Sequence, residues 1–525
     1  MTPATTTTAT SRRPNILLLL TDQHAAHVAG FAGDPVVRTQ HLDALADRSV
    51  QFDAAICASP VCTPSRMCML TAKEAHHCSA WNNHWVIYPE HVTWPAHMVA
   101  HGYRTALIGK MHLGGRDQMQ GFQHRPYGDL RHGLAHQADP IEDFPSHAGA
   151  GGAGIAQVPE SLIQDVVVTR ETLAYLLELQ SREPDQPWFV CASYQRPHPP
   201  YTAPGRYIRR YRDKLEPLDV PDDIDHRLDP YARCSAGSET GGESLTPEQN
   251  LRAREAYYAS VDFVDDCMGE LLDGLDAAGA LDNTIIIYTS DHGDMIGQHA
   301  MWGKIVYFES SIRVPLLITG PGIRPGHARV PDPVSLMDLF PTVCGACGIP
   351  VPGELDGVDF SAFLADPEST SPPRSFAPTS YYMYGVRVKG GAGAAEDEPC
   401  RAMRAVRERD WKYVEIEGGS PLLFDLVNDP TEIVNLAGDP RYADRCAAMR
   451  TQLFSGFSWT DVHRQLAADR ERLKDFLSGQ QPTTPNQYML PDGRVFDAEK
   501  SLYDARWLYI TPVAGGGGII PQQFG

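Results

Sequence analysis

The segment VCTPSRMCMLTAK, residues 61–73, sets a proline, a serine and an arginine close behind Cys62. No other segment has the look of thiol chemistry. Cys62 is therefore open to four readings: a working thiol, a metal ligand, a core residue, or the precursor of a different side chain. Four further stretches carry reactive residue types. TDQH holds Asp22 and Gln23, and KMHLG holds Lys110 and His112. QRPHPPY holds His198, and DHGD holds Asp291 and His292, with Lys304 following in WGK. Carboxylates and imidazoles bind divalent cations and carry protons, and lysines neutralise anionic oxygens. Taken singly, each residue has a plainer use. A strand-end aspartate caps a helix, DHG makes a turn, and most of the 20 histidines must be surface or core residues.

What the stretches share is position. Strand-length apolar runs precede them: NILLLL (15–20), RTALIG (104–109), PWFVCASY (187–194) and NTIIIYTS (283–290), with VPLLIT (314–319) as a fifth run further on. Near-continuous apolar runs suit strands buried on both faces. Helical segments alternate with them, at HLDALADRS (41–49), VVVTRETLAYLLELQ (166–180) and a long helix opening at Thr246. There TPEQ supplies a threonine cap, a proline in the first turn and a capping-box glutamine. The alternation predicts an α/β protein with a large, mixed, mostly parallel central sheet flanked by helices. In such sheets ligands bind beyond the carboxyl ends of the strands, so the five polar stretches are expected to converge on one site.

Beyond about residue 370 the pattern changes. AMRAVRERDWKYVEIEG (402–418) and PLLFDLVNDP (421–430) read as antiparallel strands, and TDVHRQLAADRERLKDFL (460–477) as a helix. The expected division is a disordered N-terminal tail over 1–13, a catalytic domain over 14–370, a small C-terminal α+β domain over 371–480 and an extended tail over 481–525. Residues 135–160, 220–245 and 387–399 read as surface excursions.

The 525 residues carry a net charge of −21, from 45 basic and 66 acidic side chains, which argues against a nucleic-acid partner. A small anionic substrate remains compatible, because one pocket can be positive on an acidic protein. The opening MTPATTTTATSRRPN lacks the apolar core of a secretory signal, and ILLLL is too short to span a bilayer. With 11 cysteines in no regular spacing, the chain reads as a cytoplasmic protein without a membrane anchor. The CxxC pair Cys344–Cys347 has no second pair at ligand spacing and is not read as a zinc or redox site.

Residues 15–73, 105–114, 194–201 and 286–320 closely resemble the sulfatase family, within the alkaline-phosphatase-like superfamily. CTPSR is similar to the family signature, in which a cysteine followed by x-P-x-R is oxidised to Cα-formylglycine by a maturation enzyme. GKMHLG, RPHPPY and SDHGDMIGQHAMWGK resemble its other blocks in the same order. LMDLFPTVCGACGIPVPGELDGVDF (336–360) and LFDLVNDPTEIVNLA (423–437) resemble later ones, so the likeness covers most of residues 14–440.

The resemblance implies that Cys62 becomes an aldehyde that hydrates to a geminal diol. One hydroxyl attacks sulfur and expels the alcohol; the second then drives out sulfate and restores the aldehyde. A serine or thiol has no second oxygen for that step. Pro64, Ser65 and Arg66 would serve the formylglycine-generating enzyme, with Arg66 staying beside the diol as a fixed charge. Asp22, Asp291 and His292 would hold one divalent cation, with Gln23 a fourth ligand and residue 62 touching the same ion. Many sulfatases have Asp-Asp where this chain has Asp22-Gln23, and Asn where it has His292. That softer donor set keeps Ca2+ as the expected ion with Mn2+ as its competitor. Lys110 and Lys304 would neutralise the sulfuryl oxygens. His112 would be the base of the elimination step, and His198, shared with Lys304, the acid for the departing oxygen.

GKMHLGGRDQMQGF (109–122) resembles choline-sulfatases more than secreted arylsulfatases. Asn83 falls where those enzymes and phosphonate monoester hydrolases have a substrate-contacting asparagine, though a plain helix or turn residue fits it as well. QHRPYGDLRHG (123–133) lacks the tryptophan that choline-sulfatases offer to a trimethylammonium group. A small aryl or alkyl sulfate is therefore the expected substrate. Choline sulfate, or a phosphonate monoester or phosphodiester on the same scaffold, is the alternative. Relatives of this subgroup form homodimers or homotetramers through C-terminal extensions. The aromatic-rich residues 484–512 would dock on a partner protomer or strap back onto their own chain.

Overall fold

The computed structural model describes residues 12–478, apart from 84, 116, 127–128, 130–149, 157–158, 219, 222–228, 230, 233–244, 368–370, 373 and 383–401, together with four short strands between 487 and 521. The expected tail over 1–13, the three surface excursions and the docking segment 484–512 fall largely or wholly outside the described residues.

Eight strands form the central sheet: β1 (Asn15–Asp22), β2 (Val50–Ile56), β3 (Arg104–Gly109), β4 (Trp188–Pro197), β5 (Thr284–Ser290), β6 (Arg313–Val314), β7 (Leu316–Thr319) and β8 (Ala328–Ser335). Their order is β8-β2-β7-β5-β1-β4-β3, with β6 also pairing with β2. The pairs β1–β4, β1–β5, β3–β4 and β2–β8 are parallel. Only β6 and β7 run against the rest. The sheet is thus mixed and mostly parallel, as the alternation of strand and helix predicts.

The run ILLLL is apolar throughout because both faces of β1 are covered. Ile16, Leu18 and Leu20 enter one core cluster, and Leu17 and Leu19 enter the other on the opposite face. The first face packs on α1 (Cys62–Thr71); the second packs on α2 (Gln164–Arg182) and α3 (Pro247–Ala277). The α3 helix starts as TPEQ predicts: Thr246 Oγ1 accepts from Gln249 N, and the Gln249 side chain accepts from Thr246 N. Strand β8 contains Pro331 and Pro333, which have no ladder N–H to give. It is tolerated because it lies at the sheet edge.

A second sheet of four antiparallel strands follows: β9 (Phe376–Tyr382), β10 (Ala402–Glu408), β11 (Trp411–Ile416) and β12 (Leu422–Asp425). The helix expected to accompany it, Trp459–Ser478, packs on residues 76–90 of the large domain. Asp469 Oδ2 accepts from Trp81 Nε1 at 2.9 Å, and Gln465 Nε2 donates to the His76 carbonyl at 2.6 Å. Val462 and Leu466 join the core beneath the central sheet. Cys344 and Cys347 are buried free thiols at the end of a short helix, Leu339–Ala346. Among the described residues no helix is long and apolar enough to cross a membrane.

Candidate active site

Strand register brings the polar stretches level. Thr21 pairs with Ser290, Asp22 with Pro197, and Gly109 with Ser193. The residues just past those pairs are Gln23, Asp291, His198 and Lys110, so one edge of the sheet presents them together. Gly109 is required at its position. Its φ is +106°, and a Cβ there would lie 1.9 Å from the Ser193 carbonyl oxygen.

Cys62 is the first residue of α1, and Pro64 lies in the first turn, where an amide N–H has no helical acceptor to lose. The free N–H of Thr63 is taken instead by Asn83 Oδ1 at 3.0 Å. Asn83 thus caps this helix beside residue 62. The positive end of α1 faces the same place and favours negative charge there.

Asp22, Cys62, Asp291 and His292 are all buried, and one ligand atom from each lies within 4.8 Å of the others. Cys62 Sγ is 3.2 Å from His292 Nε2 and 3.8 Å from Asp22 Oδ1. His292 Nδ1 lies 3.0 Å from the Gly293 carbonyl, which can only accept, so Nδ1 carries a proton and Nε2 is the nitrogen that faces the cluster, free to offer its lone pair when the ring is neutral. The carboxylates are shared in the same way. Asp22 Oδ2 takes Lys110 Nζ at 2.5 Å and Arg66 Nη2 at 3.1 Å, leaving Oδ1 for the cluster. Asp291 Oδ2 takes Arg66 Nε at 2.8 Å, and its Oδ1 accepts the backbone N–H of Gln23 and His292. Two carboxylate oxygens, an imidazole nitrogen and the end of side chain 62 make a donor set that fits a divalent cation.

The electrostatics follow from burial set against charge. Burial alone would raise Asp22, but Lys110, His198 and Arg66 hold it well below the usual carboxylate range. Burial lifts Asp291, and Arg66 only partly offsets it. Burial would also raise the Cys62 thiol, yet Lys304, Lys110 and His292 pull it well below its ordinary value, helped by a contact with the His112 ring. Burial would lower His292, but Asp291 and Cys62 raise it to about 8. Two carboxylates share the pocket with Arg66, Lys110 and Lys304, so it suits an anion on an otherwise acidic chain.

Two expected roles take a different form. Gln23 does not turn its side-chain oxygen to the cluster: Oε1 accepts from Lys304 Nζ at 2.5 Å, and Nε2 donates to Asp294 Oδ2 at 2.6 Å. His198 lies beside the same lysine. Burial, with Lys110 and Lys304 nearby, pushes its ring down to about 3. Its Nδ1 lies 2.7 Å from the Pro199 carbonyl and so carries the proton, while Nε2 meets Lys304 Nζ at 3.3 Å as an acceptor.

His112 has a positive φ of 51°. Thr63 Oγ1 donates to its carbonyl at 2.6 Å, Asp129 Oδ1 accepts its N–H at 3.1 Å, and its Nδ1 is buried without a hydrogen-bond partner among the described residues. Asp129 also takes Met111 N and Arg125 Nη2. Asp165 does the same for the next loop, accepting from Gln195 N, Arg196 N and Arg196 Nη1. Sequence reasoning missed Asp129, Asp165, Asp294 and Tyr201. Asp294 ends DHGD, Tyr201 ends QRPHPPY and Asp129 lies in QHRPYGDLRHG; only Asp165 stands outside the stretches singled out above.

A site at the carboxyl ends of a mostly parallel sheet, built on two carboxylates, an imidazole and a helix-borne side chain, is that of an alkaline-phosphatase-like hydrolase. Residues 14–349 match the sulfatase family, and residues 297–456 match the family described as N-sulphoglucosamine sulphohydrolase, C-terminal. The chain belongs to the sulfatase family, enzymes that hydrolyse sulfate esters. A choline-sulfatase of Rhizobium meliloti (strain 1021) is 31% identical over 449 residues, covering 82% of this chain and 84% of that protein. An ulvan-active sulfatase of Formosa agariphila is 30% identical over 444 residues, covering 82% and 78%. The phosphonate monoester hydrolase of Agrobacterium radiobacter superposes with a TM-score of 0.70 at 25% identity, covering 86% of this chain and 96% of its own.

Proposed function

We propose that this sulfatase cleaves a small aryl or alkyl sulfate to alcohol and sulfate, using residue 62 after its oxidation to formylglycine and one divalent cation, Ca2+ before Mn2+. The observation that carries this reading is the cluster of Asp22, Asp291 and His292 around the Cys62 sulfur. Asp22 Oδ1, Asp291 Oδ1, His292 Nε2 and an oxygen on residue 62 would hold the cation. When bound, the cation polarises a sulfuryl oxygen, and the hydrated side chain at 62 supplies the attacking oxygen and the second oxygen that expels sulfate.

The remaining roles belong to ordinary side chains. Lys110 and Lys304, both buried, balance charge on the sulfuryl oxygens where low exposure makes such pairing strong. Lys304, steadied by the neutral His198 ring, gives its proton to the departing oxygen. His112 takes the proton from residue 62 in the step that releases sulfate. Arg66 ties both metal-site carboxylates to the helix that carries residue 62.

A second reading, hydrolysis of a phosphonate monoester or phosphodiester, draws on the likeness to the Agrobacterium enzyme. A choline-sulfatase reading draws on the Rhizobium relative. Purified protein, converted at residue 62 and loaded with Ca2+, is assayed side by side on an aryl sulfate, choline sulfate, an aryl phosphate, a phosphodiester and a phenylphosphonate. The proposal expects the aryl sulfate to give the highest kcat/KM. A phosphonate or phosphodiester ranking first would replace it.

A further inference from the structure

Asp294 touches neither the metal cluster nor residue 62, yet four donors converge on its fully buried carboxylate. Oδ1 accepts from Ile296 N at 2.8 Å and Gly303 N at 3.1 Å; Oδ2 accepts from Tyr201 Oη and Gln23 Nε2, both at 2.6 Å. The first pair closes the loop 295–303, whose ends also meet through Met295 N and the Gly303 carbonyl at 2.7 Å. That fixes the backbone immediately before Lys304. The second pair reaches the far end of the same lysine, because Gln23 Oε1 accepts from Lys304 Nζ.

The amide of Gln23 could face either way were its neighbours ambiguous. They are not: the Asp294 carboxylate already gathers two backbone N–H groups and the Tyr201 hydroxyl as donors, and an ammonium only donates. Asp294 therefore forces the Gln23 nitrogen toward itself and the oxygen toward Lys304. A second carboxylate at position 23, as many sulfatases have, could not bridge in this way, since it has no N–H for Asp294.

We propose that Asp294 is a positioning residue for Lys304, which it holds at both ends, directly through the Gly303 backbone and indirectly through the Gln23 side chain. This rests on the reading of Lys304 as proton donor to the departing oxygen. A lysine displaced by an ångström still carries its charge but no longer meets that oxygen, and misplacement of this size costs about 100-fold in rate.

The test compares wild type, Asp294→Asn, Lys304→Ala and the double variant, each verified as converted at residue 62. The substrates are esters graded in leaving-group pKa, of whichever class, sulfate or phosphonate, the wild type hydrolyses. A failure of the sulfate reading therefore shows in the wild type alone. For Asp294→Asn the expected result is a kcat lowered ~100-fold with an alkyl leaving group and less than about threefold with a strongly acidic phenol, with KM changed by less than about threefold. The double variant is expected to be no slower than Lys304→Ala, as for residues acting through one another. An equal loss on every leaving group, or losses that multiply in the double variant, overturns the proposal. Should Asp294→Asn fail to fold, Gln23→Met breaks the same link with a side chain of similar length. It is expected to show the same leaving-group dependence with its divalent cation content unchanged. Loss of the cation from Gln23→Met would return Gln23 to the ligand set and overturn the proposal.

Discussion

Arg66 Nε and Asp291 Oδ2 meet at 2.8 Å with both side chains fully buried. The same guanidinium reaches Asp22 Oδ2, the Lys110 carbonyl and Ser193 Oγ. One arginine thus joins the segment that carries Cys62 to both carboxylates of the cation site, and its planar fork suits two carboxylates better than an ammonium could.

Removing it takes Asp291's ion-pair partner and one of Asp22's two, both inside the buried site. Arg66→Ala is expected to destabilise the protein by about 3–5 kcal/mol, with Arg66→Lys recovering only part of the loss. Urea unfolding of protein left unconverted at residue 62 separates this effect from any effect on maturation. An Arg66→Ala midpoint equal to wild type would refute the bridging role.

Stripping the divalent cation is expected to lower activity by about 100-fold or more, several kcal/mol of transition-state stabilisation. Ca2+ restores it best and Mn2+ next. Asp22→Asn and Asp291→Asn should lose both metal content and activity, measured on the same preparations by elemental analysis and aryl sulfate assay. Full activity in the stripped enzyme would remove the cation from the account.

His112→Ala is expected to reduce kcat by ~10²–10⁴ while KM shifts little, because the ring acts on a proton and not on the substrate's grip. Steady-state kinetics on one aryl sulfate decides the point. A rise in KM at unchanged kcat would make His112 a binding residue.

Acid sensitivity should come from two neutral histidines that follow Asp22 in the chain, the buried His24 and the half-buried His27. Burial pushes His24 from its usual 6.5 to about 4; His27 falls equally, through burial and then Arg313. Between those values the unfolded chain binds more protons than the folded one. Stability is therefore full above about pH 6.5 and falls as pH drops toward 4, by up to about 3 kcal/mol for each ring. Urea midpoints at about pH 7.5 and about pH 5 should differ less in His24→Gln than in wild type. An equal difference would assign the acid sensitivity elsewhere.

The site was legible in the sequence because strand ends are. Asp22, Lys110, His198 and Asp291 each follow an apolar run, and parallel pairing brings them level. The strands Val50–Ile56 and Ala328–Ser335 did not announce themselves: the first carries Gln51 and Asp53 within its run, and the second is broken by two edge-strand prolines. Gln23 entered the expected ligand set through the resemblance, which has an aspartate at that position in many sulfatases. Its partners Lys304 and Asp294 lie more than 270 residues away, a distance no local pattern spans. The same holds for Asp129 and Asp165, whose work is to accept backbone N–H groups. The helix Trp459–Ser478 was legible as a helix, but its place against Trp81 and Tyr88 depends on Asp469 finding them.

The central claim is that an oxidised side chain at position 62 performs the hydrolysis. Batches of the enzyme prepared with different extents of maturation are scored by peptide mass spectrometry, in which conversion of Cys62 exchanges one sulfur and two hydrogens for one oxygen. Each batch is then assayed on one aryl sulfate with saturating Ca2+. The account predicts a rate proportional to the converted fraction, on a line through the origin. A rate independent of that fraction, with unconverted Cys62 as active as the rest, would contradict it.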